Sequence, residues 1–107
     1  MEIQDLYTSS IRLVRDVDCR FKRYMYFSID WEDRMLCIRG AKGVGKTTMM
    51  LQYIKEHFSK TSEALYASLD DLWFAEHRLV ELAEYHYTHG GTHLFLDEVH
   101  RYPFQTW

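Results

Sequence analysis

The sequence has 107 residues, of which 47% are hydrophobic and 27% are charged. This length limits the chain to one small domain, and the composition is typical of a folded protein rather than a disordered one. The 16 acidic residues outnumber the 13 lysines and arginines, giving a net charge of -3, which argues against a broad nucleic-acid interface. The longest apolar run is far too short to span a membrane.

The first residues and the cysteines indicate a cellular location. Glu2 and Asp5 occur where a secretory signal would carry basic residues. The two cysteines, Cys19 and Cys37, are typical of a reduced protein rather than of a disulfide framework. We therefore expect a cytoplasmic protein that does not associate with a membrane.

The N-terminal part of the chain has the periodicity of a helix. Apolar side chains recur at helical spacing from Ile3 to Phe21, and charged residues fall mostly between them. The spacing predicts one helix from about Ile3 to about Arg23, within an N-terminal helical segment over residues 1–34.

Strands and helices alternate from residue 35 onward. Short apolar runs predict buried strands at 35–38, 64–69 and 93–96. Helical spacing predicts the intervening helices at 47–58 and 72–86, and Gly90 and Gly91 end the second. This order predicts a three-layer α/β domain over residues 35–107, with a parallel sheet between the helices.

A glycine-rich phosphate loop lies between the first strand and its helix. Gly40 to Thr47 match G-x-x-x-x-G-K-[ST] at every fixed position. The glycines let backbone N–H groups turn towards a phosphate, and the helix N-terminus adds further donors. Lys46 supplies charge to the β- and γ-phosphates, and the Thr47 hydroxyl is the expected Mg²⁺ ligand. The predicted nucleotide-binding residues are Gly40, Ala41, Lys42, Gly43, Val44, Gly45, Lys46, Thr47 and Thr48.

Two acids follow the third predicted strand. Asp97 lies at the carboxyl end of that strand, where phosphate-loop enzymes use an aspartate to help hold Mg²⁺. The adjacent Glu98 is the candidate general base that polarises the attacking water. GTPases typically read D-x-x-G here, and this chain does not, so the pair favours ATP hydrolysis. The predicted metal ligands are therefore Thr47 and Asp97, and the predicted catalytic residues are Lys46 and Glu98.

Other polar residues have simpler explanations than chemistry. Three histidines near one helix end are spaced for a zinc site, but a polar helix end explains them better: His86, His89 and His93. Asp70 and Asp71 could touch the nucleotide, although a turn or helix cap is the stronger interpretation. Arg101 is either a charge sensor, an inter-subunit contact or a solvated loop residue.

These motifs resemble those of the phosphate-loop ATPases whose Walker B motif ends in Asp-Glu, the branch that includes AAA-type ATPases. The resemblance is carried by GAKGVGKTT at 40–48, the L-D-D of 69–71 and LFLDEVHRYPFQTW at 94–107. Together these stretches are similar to one prokaryotic group of AAA-like ATP-binding proteins, which usually carries a DUF4143-type domain downstream. The resemblance implies a Mg·ATP cofactor and ATP hydrolysis. By analogy with AAA-like proteins, it also implies a homo-oligomer or a protein partner.

The resemblance also implies parts that this sequence lacks. In that fold class a strand with a polar sensor residue lies between the two Walker strands, and an arginine and a helical lid follow. We therefore expect an N-terminal fragment of a longer ATPase. Its strands at 35–39 and 92–96 should lack their shared neighbour, and open apolar edges should make it poorly stable.

Two other functions use the same residues. A nucleotide-dependent switch with negligible turnover needs the same loop and acids, with ATP ordering an interface instead of being consumed. A small-molecule kinase is disfavoured by the Asp97-Glu98 pair and by the absence of an evident acceptor lid.

Overall fold

Four helices and three strands make up the part of the chain that the computed structural model describes, residues 2–20, 31, 35–37, 45–58 and 63–99. They are α1 (Ile3–Asp16), β1 (Met35–Cys37), α2 (Lys46–His57), β2 (Ala64–Ser68), α3 (Trp73–Glu76), α4 (Leu79–Thr88) and β3 (His93–Asp97). The predicted alternation of strands and helices is confirmed. No described helix combines the length and the apolar character needed to cross a membrane.

The three strands form one parallel sheet in the order β1-β3-β2. β3 lies in the centre, where Phe95 is opposite Leu36 of β1 and Tyr66 of β2. The parallel pairing confirms the predicted α/β class. As the sequence predicts, no described strand lies between β1 and β3. The two strands pair directly instead of leaving a gap, which satisfies backbone N–H and C=O groups that a gap would leave without partners.

Apolar side chains of the sheet alternate between its two faces. One face packs against α2 in a cluster that includes Met50, Ile54, Tyr66 and Phe95. The other face packs against α3 and α4 in a cluster that includes Leu65, Trp73, Leu82, Leu94 and Leu96. Helices therefore cover both faces of a small parallel sheet, which is the predicted three-layer arrangement.

Helix α1 covers the outer edge of β2. The backbone N–H of Tyr66 donates to Ser10 Oγ at 3.0 Å, and both residues are buried. Leu6 and Val14, on either side of Ser10 in α1, belong to the clusters on opposite faces of the sheet. Because an edge strand presents unpaired backbone groups that invite pairing with another chain, α1 protects this edge.

Helix α1 ends earlier than its periodicity predicts. The predicted continuation beyond Asp16 was wrong, since Val17 is extended with φ -73 and ψ 142. Lys55 Nζ of α2 donates to the carbonyls of Arg15 and Val17, both at 2.8 Å. The Lys55 side chain thus bonds to carbonyls that would accept backbone N–H groups if α1 were longer. The predicted helical residues 21–23 lie outside the described part of the chain.

The single helix predicted over 72–86 is two helices. His77 and Arg78 are extended, with φ and ψ of -132 and 152, and of -93 and 151. The Glu81 side chain stabilises the start of α4, because its Oε1 accepts the Arg78 N–H at 3.2 Å and its Oε2 lies 3.1 Å from His77 Nδ1. Gly90, with φ 89, follows the end of α4, as the sequence predicts.

Candidate functional site

Helix α2 begins where the sequence predicts the end of the phosphate loop. Gly45 precedes it with φ 83 and ψ 13, a left-handed conformation that favours glycine. The Gly45 carbonyl accepts the Met49 N–H at 3.0 Å, so Lys46 and Thr47 occupy the first turn. Thr48 follows them and is exposed. The other predicted loop residues lie outside the described residues: Gly40, Ala41, Lys42, Gly43 and Val44.

Strand β3 brings Asp97 and Glu98 to the same place. Asp97 is the last residue of the strand, and both acids are buried. Glu98 has φ 56, in the left-handed region that residues with a side chain seldom adopt. Such conformations cost free energy and cluster at functional sites. The conformation of Glu98 therefore marks this turn as a candidate site.

Lys46 connects the two acids. Its Nζ lies 3.0 Å from Asp97 Oδ1 and 3.2 Å from Glu98 Oε1, and the lysine is buried. The hydrogen bond with Asp97 raises the pKa of the Lys46 amine above its ordinary value. Because an unpaired buried charge is costly, the amine and the two carboxylates stabilise one another.

The Asp97 carboxylate accepts four hydrogen bonds. Oδ1 accepts one from Lys46 Nζ at 3.0 Å and one from the Glu98 N–H at 2.9 Å. Oδ2 accepts one hydrogen bond from the Thr47 hydroxyl and one from the Tyr66 hydroxyl, which lies 2.7 Å away. Burial acts to raise the pKa of Asp97, but the bonds from Thr47, Tyr66 and Lys46 outweigh it and hold the pKa below its ordinary value. Asp97 is therefore ionised.

The chemistry of Thr47 and Asp97 fits a magnesium ion. Mg²⁺ takes oxygen ligands, usually from one or two protein side chains together with phosphate and water. Here a hydroxyl and an ionised carboxylate are in contact at the N-terminus of a helix, where a phosphate group would find N–H donors. Within the described residues there is no group of three or more His, Cys, Asp or Glu side chains that could hold a metal ion. Two protein oxygens are enough for a magnesium ion whose other ligands come from phosphate and water.

Tyr66 also touches this cluster, although no motif in the sequence predicts it as a site residue. It lies on β2 opposite Phe95, and its ring is buried on the α2 side of the sheet. Burial raises the pKa of the Tyr66 hydroxyl, as does its bond to Asp97, so the group is a neutral donor. Side chains alternate between the two faces along each strand, and this alternation puts Tyr66 and Asp97 on the same face of the sheet. The sequence could have predicted their contact only if β2 were known to lie beside β3.

The histidines considered for zinc have other partners. His86 Nε2 lies 2.8 Å from the His93 carbonyl and 3.2 Å from the Glu63 carbonyl, so it carries the proton. His86 Nδ1 then accepts the Tyr7 hydroxyl at 2.7 Å. Burial lowers the pKa of His86. His89 Nδ1 lies 2.8 Å from the Tyr85 carbonyl. These contacts are those of a polar helix end.

The acids that follow β2 form a turn. Asp70 Oδ1 accepts the Ser68 hydroxyl, and Asp71 Oδ1 accepts the Trp73 N–H at 3.2 Å at the start of α3. Both contacts agree with the turn and cap interpretation. Arg101 lies outside the described residues.

Comparison with known protein families finds one match. A family model for the AAA domain matches residues 32–105, well over half of the chain. This range contains Lys46, Thr47, Asp97 and Glu98. Comparisons with curated proteins and with solved structures give no match.

Proposed function

We propose that this chain, which belongs to the AAA domain family, binds Mg·ATP at the cluster of Lys46, Thr47, Asp97 and Glu98 and hydrolyses it. The observation that supports this most is the contact of Lys46 and Thr47, at the start of α2, with the two acids at the end of β3. Residues 46 and 97 are far apart in sequence, and the parallel sheet brings them together. The same edge of an α/β sheet is where such folds bind ligands.

In this proposal the first turn of α2 holds the triphosphate. The sequence predicts that backbone N–H groups of the loop at 40–45 bind the phosphates, and the partial positive charge of the helix N-terminus adds to their attraction. Lys46 exchanges its contacts with Asp97 and Glu98 for the β- and γ-phosphates. Thr47 and Asp97 hold the magnesium ion, which when bound neutralises phosphate charge.

Movement of Lys46 to the phosphates would take its amine away from the Glu98 carboxylate. This carboxylate, no longer paired with the amine, accepts a proton from a water molecule as that water attacks the γ-phosphorus. The bond between the γ-phosphorus and the bridging oxygen breaks, and ADP leaves. Lys46 lowers the barrier by stabilising the negative charge on the phosphate oxygens.

The Lys46–Glu98 contact also favours the second function, a nucleotide-dependent switch. With Nζ and Oε1 3.2 Å apart, the candidate base is engaged by the residue that should bind phosphate. Nucleotide binding that breaks this ion pair would rearrange the turn at Glu98 even without turnover. ATP would then change a surface instead of being consumed.

A Glu98→Gln variant separates the two functions. Hydrolysis requires the variant to bind Mg·ATP like the parent while phosphate release falls by about 100-fold or more, the contribution of a general base. Glu84→Gln, an exposed change on α4, is the matched control and should behave like the parent. Unchanged turnover in Glu98→Gln would overturn the role of Glu98. Tight binding without phosphate release by the parent would support the switch.

A further inference from the structure

We propose that Tyr66 is a positioning residue of the metal site, whose hydroxyl holds the Asp97 carboxylate so that Oδ2 lies against Thr47. The inference rests on the proposed function, since it concerns the same site. The Tyr66 hydroxyl donates to Asp97 Oδ2 at 2.7 Å, and this oxygen also accepts the Thr47 hydroxyl.

The strand register explains why a tyrosine can do this. Ser68 is opposite Asp97, and Tyr66 is two residues earlier on β2, so its side chain lies on the same face of the sheet. Diagonal neighbours on adjacent strands are within reach of long aromatic side chains. A serine or threonine at position 66 would be too short to reach the carboxylate.

Tyr66 differs from the other side chains that donate to Asp97. In the proposed function, Lys46 turns to the phosphates and Thr47 offers its oxygen to the metal. The Tyr66 hydroxyl also has a hydrogen bond with the Thr47 side chain, but the proposed function gives it neither phosphate nor metal to bind. It is therefore the side-chain donor that keeps Oδ2 oriented both before and after Mg·ATP binds.

Tyr66 is itself held in place. Its N–H donates to Ser10 Oγ of α1 at 3.0 Å, and its ring packs in the buried cluster with Ile54 and Phe95. Residues that orient a metal ligand act best when their own conformation is fixed by packing and hydrogen bonds. The hydrogen bond of its backbone and the packing of its ring both fix the conformation of Tyr66.

The test is a magnesium titration of the Tyr66→Phe variant of the full chain. ATP affinity is measured in EDTA and at increasing Mg²⁺ for the parent, for Tyr66→Phe and for Tyr85→Phe. The last is a matched control, because it removes a hydroxyl on α4 that bonds to Gln4 instead. We expect Tyr66→Phe to need at least about 10-fold more Mg²⁺ than the parent to reach tight ATP binding. This is the usual effect of losing a group that orients a metal ligand. The ATP affinity of Tyr66→Phe in EDTA should equal that of the parent. The ATP affinity of Tyr85→Phe should equal that of the parent both in EDTA and in Mg²⁺.

Each other outcome has a distinct meaning. A magnesium requirement of Tyr66→Phe within twofold of the parent would overturn the role of Tyr66 while leaving the proposed function intact. Equal losses of ATP affinity with and without Mg²⁺ would show a purely structural role and would also overturn the inference. Absence of Mg²⁺-dependent ATP binding by the parent would overturn the proposed function and the role of Tyr66 with it.

Discussion

Replacing Lys46 with methionine removes a buried cation while keeping most of the volume of the side chain. The Lys46 amine lies 3.0 Å from Asp97 and 3.2 Å from Glu98, and the acids are only 1% and 7% exposed. Removing one partner of a buried ion pair costs about 3–5 kcal/mol. Asp97 keeps its bonds from Thr47, Tyr66 and the Glu98 N–H. We therefore expect a loss near the lower limit, about 3 kcal/mol in the free energy of unfolding.

The loss should depend on pH. In the parent, the pKa of Asp97 is lowered from 3.8, so its contribution to stability is present above that value and disappears as the pH falls through the folded pKa. In Lys46→Met, the loss of the Lys46 hydrogen bond makes the pKa of Asp97 less depressed than in the parent. The variant therefore loses less stability than the parent as the carboxylate takes up a proton at low pH. The difference between the two proteins should shrink as the pH falls below about 4.

Urea unfolding followed by circular dichroism measures this difference. Lys55→Met is the matched control on the same helix, because Lys55 is exposed and its amine donates to the Arg15 and Val17 carbonyls rather than to a buried carboxylate. We expect it to lose about 1 kcal/mol or less. Equal losses of stability in the two variants at neutral pH, or a Lys46→Met deficit that does not change with pH, would refute this charge balance among Lys46, Asp97 and Glu98.

Three further contacts can be tested by unfolding experiments. Burial lowers the pKa of His86 from 6.5, so stability should fall as the pH drops below that value, and His86→Phe should reduce the slope in thermal melts. Gly91→Ala places a Cβ 2.3 Å from His86 Nε2 and should cost about 1–3 kcal/mol in urea unfolding. Gly90→Ala meets no atom within 4 Å and should cost less than Gly91→Ala, about 1 kcal/mol from its φ of 89 alone; equal losses of the two variants would contradict the contact with His86. Ser10→Ala leaves the buried Tyr66 N–H without its acceptor, so the free energy of unfolding should fall by about 1–3 kcal/mol; parent-like stability would contradict the edge contact.

The parts of the site that depend on short stretches of sequence could be predicted. Lys46 and Thr47 follow a glycine that must adopt a left-handed conformation, and Asp97 follows an apolar run that must be a buried strand. The contact of Tyr66 with Asp97 spans 31 positions and depends on β2 lying beside β3. Strand neighbours are chosen by long-range pairing, which no local pattern reveals. The direct pairing of β1 with β3 was missed for the same reason.

Helix boundaries were missed where side chains compete with periodicity. Apolar spacing continues beyond Asp16, but Lys55 takes the last carbonyls of α1. It also continues through His77, but Glu81 caps a new helix start there. Periodicity reports which face of a segment is apolar, and it does not report where a tertiary hydrogen bond or a cap ends the helix.

Calorimetric titration of ATP in the presence of Mg²⁺ tests the claim that Mg·ATP binds at the start of α2. We predict saturable binding at one site in the parent. Lys46→Met, at a temperature where circular dichroism shows it folded, should bind about 10-fold more weakly or worse, because a charged hydrogen bond contributes about 1.5–3 kcal/mol. Absence of binding by the parent, or equally tight binding by Lys46→Met, would contradict the claim.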